Sequence, residues 1–126
     1  MHHIGTDIIE VSRVRKVVET WGKRFLNRVY TKPELELCKD KPEKLASHFA
    51  GKEAVMKALG TGARGISWRE IEILSEPSGK PVVNLYGKAR EKADSLELDG
   101  LAISLSDSRE YAVAFVVAGT DGQTTE

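Results

Sequence analysis

Three side chains carry the chemistry that this sequence offers most directly: Asp7, Glu53 and Lys57. Asp7 interrupts the stretch Ile4-Gly-Thr-Asp-Ile-Ile-Glu-Val11, whose β-branched residues predict a mostly buried strand. A carboxylate there is costly to desolvate unless a cation, a metal or several hydrogen-bond donors meet it. Metal ligation and plain acceptance of backbone N–H groups at a strand end are both open. Glu53 lies near the apolar face of a long helical pattern, with Lys57 one turn later. By itself that spacing is the common helix-surface pair, worth roughly 0.2 to 0.5 kcal/mol. If Asp7 and Glu53 converge, however, two hard carboxylates with open positions suit Mg²⁺, an ion usually shared with substrate phosphates. Lys57 would then offset phosphate charge.

Two glycine-containing segments also fit phosphate chemistry. Gly60-Thr61-Gly62 and Gly79-Lys80-Pro81 are ordinary turn vocabulary, yet a missing Cβ and accessible N–H groups also suit backbone lying close to a nucleotide. Ser104 and Ser106 share a strand face by their separation of two. Outside the N-terminal pair the only histidine is His48, so no serine–histidine–acid set is assigned. Between Arg13 and Lys32, the cations Arg13, Arg15, Lys16, Lys23, Arg24, Arg28 and Lys32 face Glu19 alone, a local excess of six positive charges. A solvated helical face is the plain reading. The sharper one is a docking surface for an acidic partner, with Trp21 and Phe25 as apolar anchors.

The elements that must position these groups follow from periodicity and stop signals. Ser12 is a candidate N-cap for a short helix ending at Trp21-Gly22, and Thr31-Lys-Pro-Glu34 has capping-box spacing, repeated by Asp40-Lys-Pro-Glu43. Pro42 to Leu59 reads as the longest helix, roughly 27 Å at 1.5 Å per residue, stopped by Gly60-Thr-Gly62. Ile71 and Ile73 alternate with Glu70 and Glu72 in a half-buried strand, and Pro81 to Tyr86 returns from it as a hairpin. Lys88 to Leu96 reads as a helix broken by Asp99-Gly100. Leu101 to Ser106 and Tyr111 to Ala118 form a second hairpin with a central return strand. This order predicts an α+β fold in which an antiparallel β-sheet is packed against helices on one side. Residues 1–118 are read as one domain and 119–126 as a flexible tail.

The chain has 126 residues, with 19 basic against 19 acidic side chains. That balance excludes a polybasic nucleic-acid protein, and no helix-turn-helix or aromatic RNA-binding signature is present. The longest apolar run, Ala112 to Ala118, falls far short of the roughly 20 residues of a membrane helix. A single cysteine, Cys38, and no apolar leader point to a reducing cytoplasm. A domain of this size holds only a thin core, so a large substrate site calls for a second subunit.

Taken together, Gly5-Thr-Asp-Ile-Ile-Glu10, Lys23-Arg-Phe25, Phe49-Ala-Gly-Lys-Glu-Ala54, Lys57-Ala-Leu-Gly-Thr-Gly62, Gly79-Lys-Pro81 and Ser104-Leu-Ser-Asp-Ser-Arg-Glu-Tyr111 resemble the small holo-acyl-carrier-protein synthase family of phosphopantetheinyl transferases in order and spacing. The resemblance implies the phosphopantetheinyl transferase fold and transfer of 4'-phosphopantetheine from coenzyme A to a serine of apo-acyl-carrier protein, releasing adenosine 3',5'-bisphosphate. It implies that Asp7 and Glu53 ligate Mg²⁺ and that Lys57 contacts the diphosphate. Gly60, Thr61, Gly62, Gly79, Lys80, Pro81 and Ser104 would lie at the coenzyme site. It further implies a symmetric homotrimer with active sites between subunits, and a carrier-docking helix bearing Arg13, Arg24, Phe25 and Arg28. Asp7 and a metal-bound water are both open as acceptors of the serine proton.

Two positions depart from the family pattern. Asp107 stands where the family carries a histidine associated with coenzyme phosphate contacts, which sets unfavourable charge near a phosphate. Asp107 then either turns away, pairs with Arg109 or another cation, or weakens coenzyme binding. His48 stands where the family has an arginine, and can donate as a cation only if protonated. The Asp107 departure favours, as an alternative, a noncatalytic acyl-carrier-protein-binding module, whereas a general adaptor for acidic partners needs only the basic segment.

Overall fold

The computed structural model describes residues 2–60 and 64–120. The chain opens with strand β1 (His2–Glu10), followed by helices α1 (Val11–Trp21), α2 (Lys23–Val29), α3 (Lys32–Cys38) and α4 (Pro42–Leu59). A short 3-10 turn, Trp68–Glu70, leads into the hairpin β2 (Ile71–Ser75) and β3 (Pro81–Leu85). Helix α5 (Gly87–Ser95) and a second hairpin, β4 (Leu98–Asp107) and β5 (Tyr111–Thr120), complete the order. Sheet order is β1-β5-β4, entirely antiparallel, with β2 and β3 as a separate ribbon. The expected α+β architecture, with the return strand β5 at the centre, is what the chain adopts.

Alternation along the strands decides which side α4 covers. Gly5, Asp7 and Ile9 of β1 and Ala112, Ala114, Val116 and Ala118 of β5 face the helix, and the four β5 residues are buried. The small residues are what let α4 sit close. A Cβ on Gly5 would collide with the carbonyl oxygen of Ala54, and Ala50, Ala54 and Ala58 of α4 are all buried in the same layer. A second cluster, Val11, Val14, Val29, Tyr30, Leu45 and Ala46, packs α1 to α3 against the first half of α4. Among the described residues no helix covers the opposite face of the sheet, and there Ile4, Ile8, Val113 and Phe115 are exposed.

Several local expectations are corrected. Helix α1 starts at Val11 with Glu10 as N-cap, because β1 turns directly into it, so Ser12 lies inside its first turn. The capping box of α3 is present as predicted: Thr31 Oγ1 accepts from the Glu34 amide and Glu34 Oε1 accepts from the Thr31 amide. Its expected repeat is not. Asp40 has φ 59°, spent on leaving α3, and Lys41 is the uncapped start of α4. Glu72 faces away from Ile71 and Ile73 but is buried rather than solvated, since Thr31, Asn84 and Tyr86 all donate to it. Asp99-Gly100 is absorbed into β4 as a register irregularity. β5 continues through Thr120, paired with β1 and β4, so Gly119 and Thr120 belong to the sheet and not to a tail. Residues 121–126, like Thr61 and Gly62, lie outside the described residues.

Candidate active site

β1 and the C-terminal half of α4 bring Asp7, Glu53 and Lys57 together. Lys57 Nζ stands 2.8 Å from Asp7 Oδ1 and also donates to the Thr6 carbonyl at 3.0 Å. Glu53 and Lys57, one turn apart on α4, face the Asp7 side of β1. Burial pushes the Glu53 carboxyl up, hydrogen bonding to Asp7 and the Asp7 charge add to this, and Lys57 and Arg13 oppose it; the outcome is a pKa raised to about 7. The Lys57 ammonium is held above its usual range by its hydrogen bond to Asp7. A half-buried pair of carboxylates that repel one another is a donor set for a hard divalent cation. Among the described residues no group of three or more such ligating side chains occurs, which leaves coordination positions for water and phosphate oxygens. The two residues present fit Mg²⁺.

Gly60 caps the same end of α4, with φ 85° and its amide bonded to the Met56 and Lys57 carbonyls. The remaining coenzyme candidates lie elsewhere. Gly79 and Pro81 line a cleft of about 210 Å³ at the other end of α4, together with Lys44, Ser47, His48, Ser75, Leu105 and Asp107. Lys80 is exposed on the adjoining turn. Ser104 is exposed on the helix-free face of the sheet, opposite Phe115 in register. Lys44 and Lys57 are thirteen residues apart on α4, about 20 Å along its axis. Within this chain, therefore, Lys57 and Gly60 lie at one end of the longest helix and Gly79 and Pro81 at the other, with Ser104 on the far face of the sheet.

In the cleft, Asp107 has turned toward Lys44, with Oδ2 3.9 Å from Nζ, and not toward Arg109. His48 is buried and both ring nitrogens face carbonyl oxygens, Nδ1 that of Lys44 at 3.1 Å and Nε2 that of Ile73 at 2.9 Å. Burial lowers its pKa, although the nearby Glu34 charge and the two carbonyls pull the other way. A buried ring with both nitrogens turned onto backbone carbonyls does not replace an arginine reaching into the cleft.

Three cations of the basic segment line adjoining grooves, while Arg15 lies in a separate pocket with Glu10 and Arg109. Arg24, Phe25 and Arg28 of α2 line a groove of about 470 Å³ with Val17 and Trp21 of α1, and Trp21 is exposed. Arg13 lies in a smaller adjoining pocket with Ile9, Val14, Val17, Phe25 and Phe49, and its charge reaches Glu53. The groove thus runs toward the carboxylate pair.

Sequence reasoning missed the support beneath Glu53. Lys52, fully buried, pairs with Glu34 at 2.7 Å and donates to the carbonyls of Trp68 and Ile71, while Glu34 Oε2 accepts from the Ile73 amide. This clamps α4 to α3 and β2 on the flank away from Asp7. No periodicity signals it, since a lysine is the residue type least expected at zero exposure. Lys44 was missed for a different reason: only the fold opposes it to Asp107.

The sequence profile of the 4'-phosphopantetheinyl transferase superfamily matches residues 3–116. A holo-acyl-carrier-protein synthase from Dehalococcoides mccartyi is 52% identical over 118 residues, covering 94% of this chain and 98% of that protein. Among solved structures, that of the Helicobacter pylori holo-acyl-carrier-protein synthase in complex with coenzyme A superposes with a TM-score of 0.82 at 36% identity, over 92% of this chain and 99% of that one. The Neisseria meningitidis holo-acyl-carrier-protein synthase gives 0.83 at 38% identity, over 94% and 98%.

Proposed function

The chain belongs to the 4'-phosphopantetheinyl transferase superfamily, and from that premise we propose that it transfers 4'-phosphopantetheine from coenzyme A to a serine hydroxyl of an apo-acyl-carrier protein. The observation that carries the reading is the meeting of Asp7, Glu53 and Lys57 across the β1–α4 contact. The serine oxygen bonds to the phosphorus that carries pantetheine. The bridging P–O bond breaks, its electron pair leaves on adenosine 3',5'-bisphosphate, and the serine proton passes to an acceptor oxygen, that of Asp7 or of a water. Such a displacement is governed by alignment and by neutralisation of spread negative charge. Asp7 and Glu53 would hold Mg²⁺, which when bound neutralises diphosphate charge. The Lys57 ammonium, more than half exposed, is free to donate to a diphosphate oxygen. Arg13, Arg24, Phe25 and Arg28 receive an acidic helix of the carrier, which delivers its serine along the groove toward Asp7.

The site is shared between subunits of a homotrimer. The ribose of coenzyme A is one ester carbon away from the diphosphate, so a single coenzyme does not span both ends of α4 in one subunit. A neighbour that brings its Gly79–Pro81 cleft to Lys57 completes the site. The helix-free sheet face, with Ile8 61% and Phe115 46% exposed, is the surface such neighbours would cover. Thr61, Gly62, Lys80 and Ser104 complete the coenzyme set in this reading. No described helix is long and apolar enough to cross a membrane, and the buried free thiol of Cys38 is in keeping with a reducing cytoplasm. Incubation with coenzyme A, Mg²⁺ and apo-acyl-carrier protein is expected to add the phosphopantetheine mass to the carrier. Carrier binding without mass gain would replace this reading with a noncatalytic binding module.

A further inference from the structure

Lys57 crosses from α4 to β1 and closes on Asp7 as a resident cation of the carboxylate site. Its ammonium stands 2.8 Å from Asp7 Oδ1 and donates to the Thr6 carbonyl at 3.0 Å, so two of its three donors are already committed. The Asp7 side chain is 15% exposed against 58% for Lys57, so the carboxylate is enclosed and the lysine reaches it from the solvent side. An ammonium on a flexible four-carbon stem is the mobile member of such a pair. A bare divalent cation approaching Asp7 meets the Lys57 charge at close range and must share the site with it or expel it into water. A diphosphate ester permits a different exchange. Its oxygens accept the same N–H donors as the carboxylate, so Lys57 passes from Asp7 to phosphate with an ion pair kept and Asp7 Oδ1 released. One negative charge on each phosphorus also brings a magnesium–diphosphate complex close to neutrality, which removes the repulsion that the bare ion meets.

We propose that Lys57 keeps the carboxylate pair closed to free Mg²⁺, so that the chain takes the metal together with the diphosphate, as the metal–donor complex. The inference rests on the reading above, in which Asp7 and Glu53 are the metal ligands and Lys57 serves the diphosphate. To that reading it adds an order: Lys57 occupies Asp7 in the donor-free chain and is drawn off by the donor. Lys57 lies in the last turn of α4, where the helix dipole favours a cation, so its ammonium gains from staying at the helix end whichever anion it pairs with. Metal and donor binding are then coupled through one side chain. The coupling is reciprocal, since whatever factor the diphosphate adds to magnesium affinity, magnesium adds to diphosphate affinity.

The test is calorimetric and needs no turnover. Mg²⁺ is titrated into the donor-free chain, and coenzyme A is titrated into the chain without and with saturating Mg²⁺. Lys57→Met keeps the stem and removes the ammonium, and should tighten Mg²⁺ binding to the donor-free chain by about tenfold or more. Lys57→Arg keeps a cation that pairs with Asp7, and should stay within about threefold of the unmodified chain. The factor by which Mg²⁺ raises coenzyme A affinity should shrink by about tenfold in Lys57→Met. Lys57 is more than half exposed, so neither substitution disturbs the core. Magnesium binding to the donor-free chain that Lys57→Met leaves unchanged or weakens would overturn the proposal, as would Lys57→Arg binding the ion as tightly as Lys57→Met. If Asp7→Asn and Glu53→Gln leave every titration unchanged, the metal-site reading falls together with the inference, an outcome distinct from failure of the Lys57 variants alone.

Discussion

Lys57 Nζ lies 2.8 Å from Asp7 Oδ1, joining residues 50 positions apart in sequence at the one place where α4 meets the side chains of β1 closely enough for charge contact. Gly5 makes that approach feasible two residues before Asp7, and Ala54 and Ala58 make it feasible from the helix. Close backbone packing and the placement of the reacting charges are therefore one feature.

Glu53→Gln keeps the side-chain shape and removes the ionised oxygen. Transfer is expected to fall by about a hundredfold or more, with the response to Mg²⁺ flattened. Initial rates across a magnesium titration measure both, and an unchanged magnesium response would remove Glu53 from the ligand set.

The pH dependence has a defined sign. The Glu53 carboxyl is raised from 4.5 to about 7, so the folded chain holds this proton more tightly than the unfolded chain does. Its contribution to stability is full below 4.5 and is lost as pH rises to about 7. Mg²⁺ competes with the same proton, so its affinity should climb by up to about tenfold per pH unit below neutrality and level off above it. Calorimetric magnesium titrations at several pH values read this directly, and Glu53→Gln should abolish the slope.

Reversal of charge at Arg24 and Arg28, both to Glu, should raise KM for the carrier by about tenfold or more and leave kcat nearly intact, with the residual binding less sensitive to salt. Steady-state kinetics at low and high ionic strength check it. Unaltered KM would return the basic face to a solvated surface.

Phe115→Asp sets a charge in the middle of the helix-free sheet face without touching the α4 side. Sedimentation should show dissociation to monomers, with transfer lost alongside assembly, because in the proposed shared site Lys57 of one chain and the Gly79–Pro81 cleft of its neighbour serve the same coenzyme. Activity retained in a monomeric variant would contradict the shared site.

Lys52→Met leaves the buried Glu34 carboxylate without its cation, a loss of about 3 to 5 kcal/mol. Lys52→Met combined with Glu34→Gln should recover part of it, since no charge stays buried and the single amide oxygen still accepts from one of the two backbone amides, Thr31 or Ile73, that the carboxylate serves. Urea unfolding of the two variants separates the cases.

Much of the architecture was legible because it rests on local rules. Alternation marked β2 and β3, β-branched and apolar runs marked β1 and β5, and Gly22 and Gly60 stopped their helices at positive φ. Capping spacing located α3, and α4 starts at Pro42 as read, but without the expected Asp40 cap, because Asp40 serves the end of the preceding helix and cannot serve both. Glu72 was misjudged since alternation tells which side a residue faces, and not whether another element covers that side.

The residue types and their order determined by themselves the α+β class, the transferase resemblance and the candidates Asp7, Glu53 and Lys57. Tertiary structure alone decided that these three converge, that Gly79 and Pro81 lie at the opposite end of α4, and that Asp107 is balanced by Lys44 and not by its neighbour Arg109. Local periodicity depends on the chain's own few-residue geometry, whereas charge pairing depends on distances between elements, which only the packing of α4 across the sheet sets.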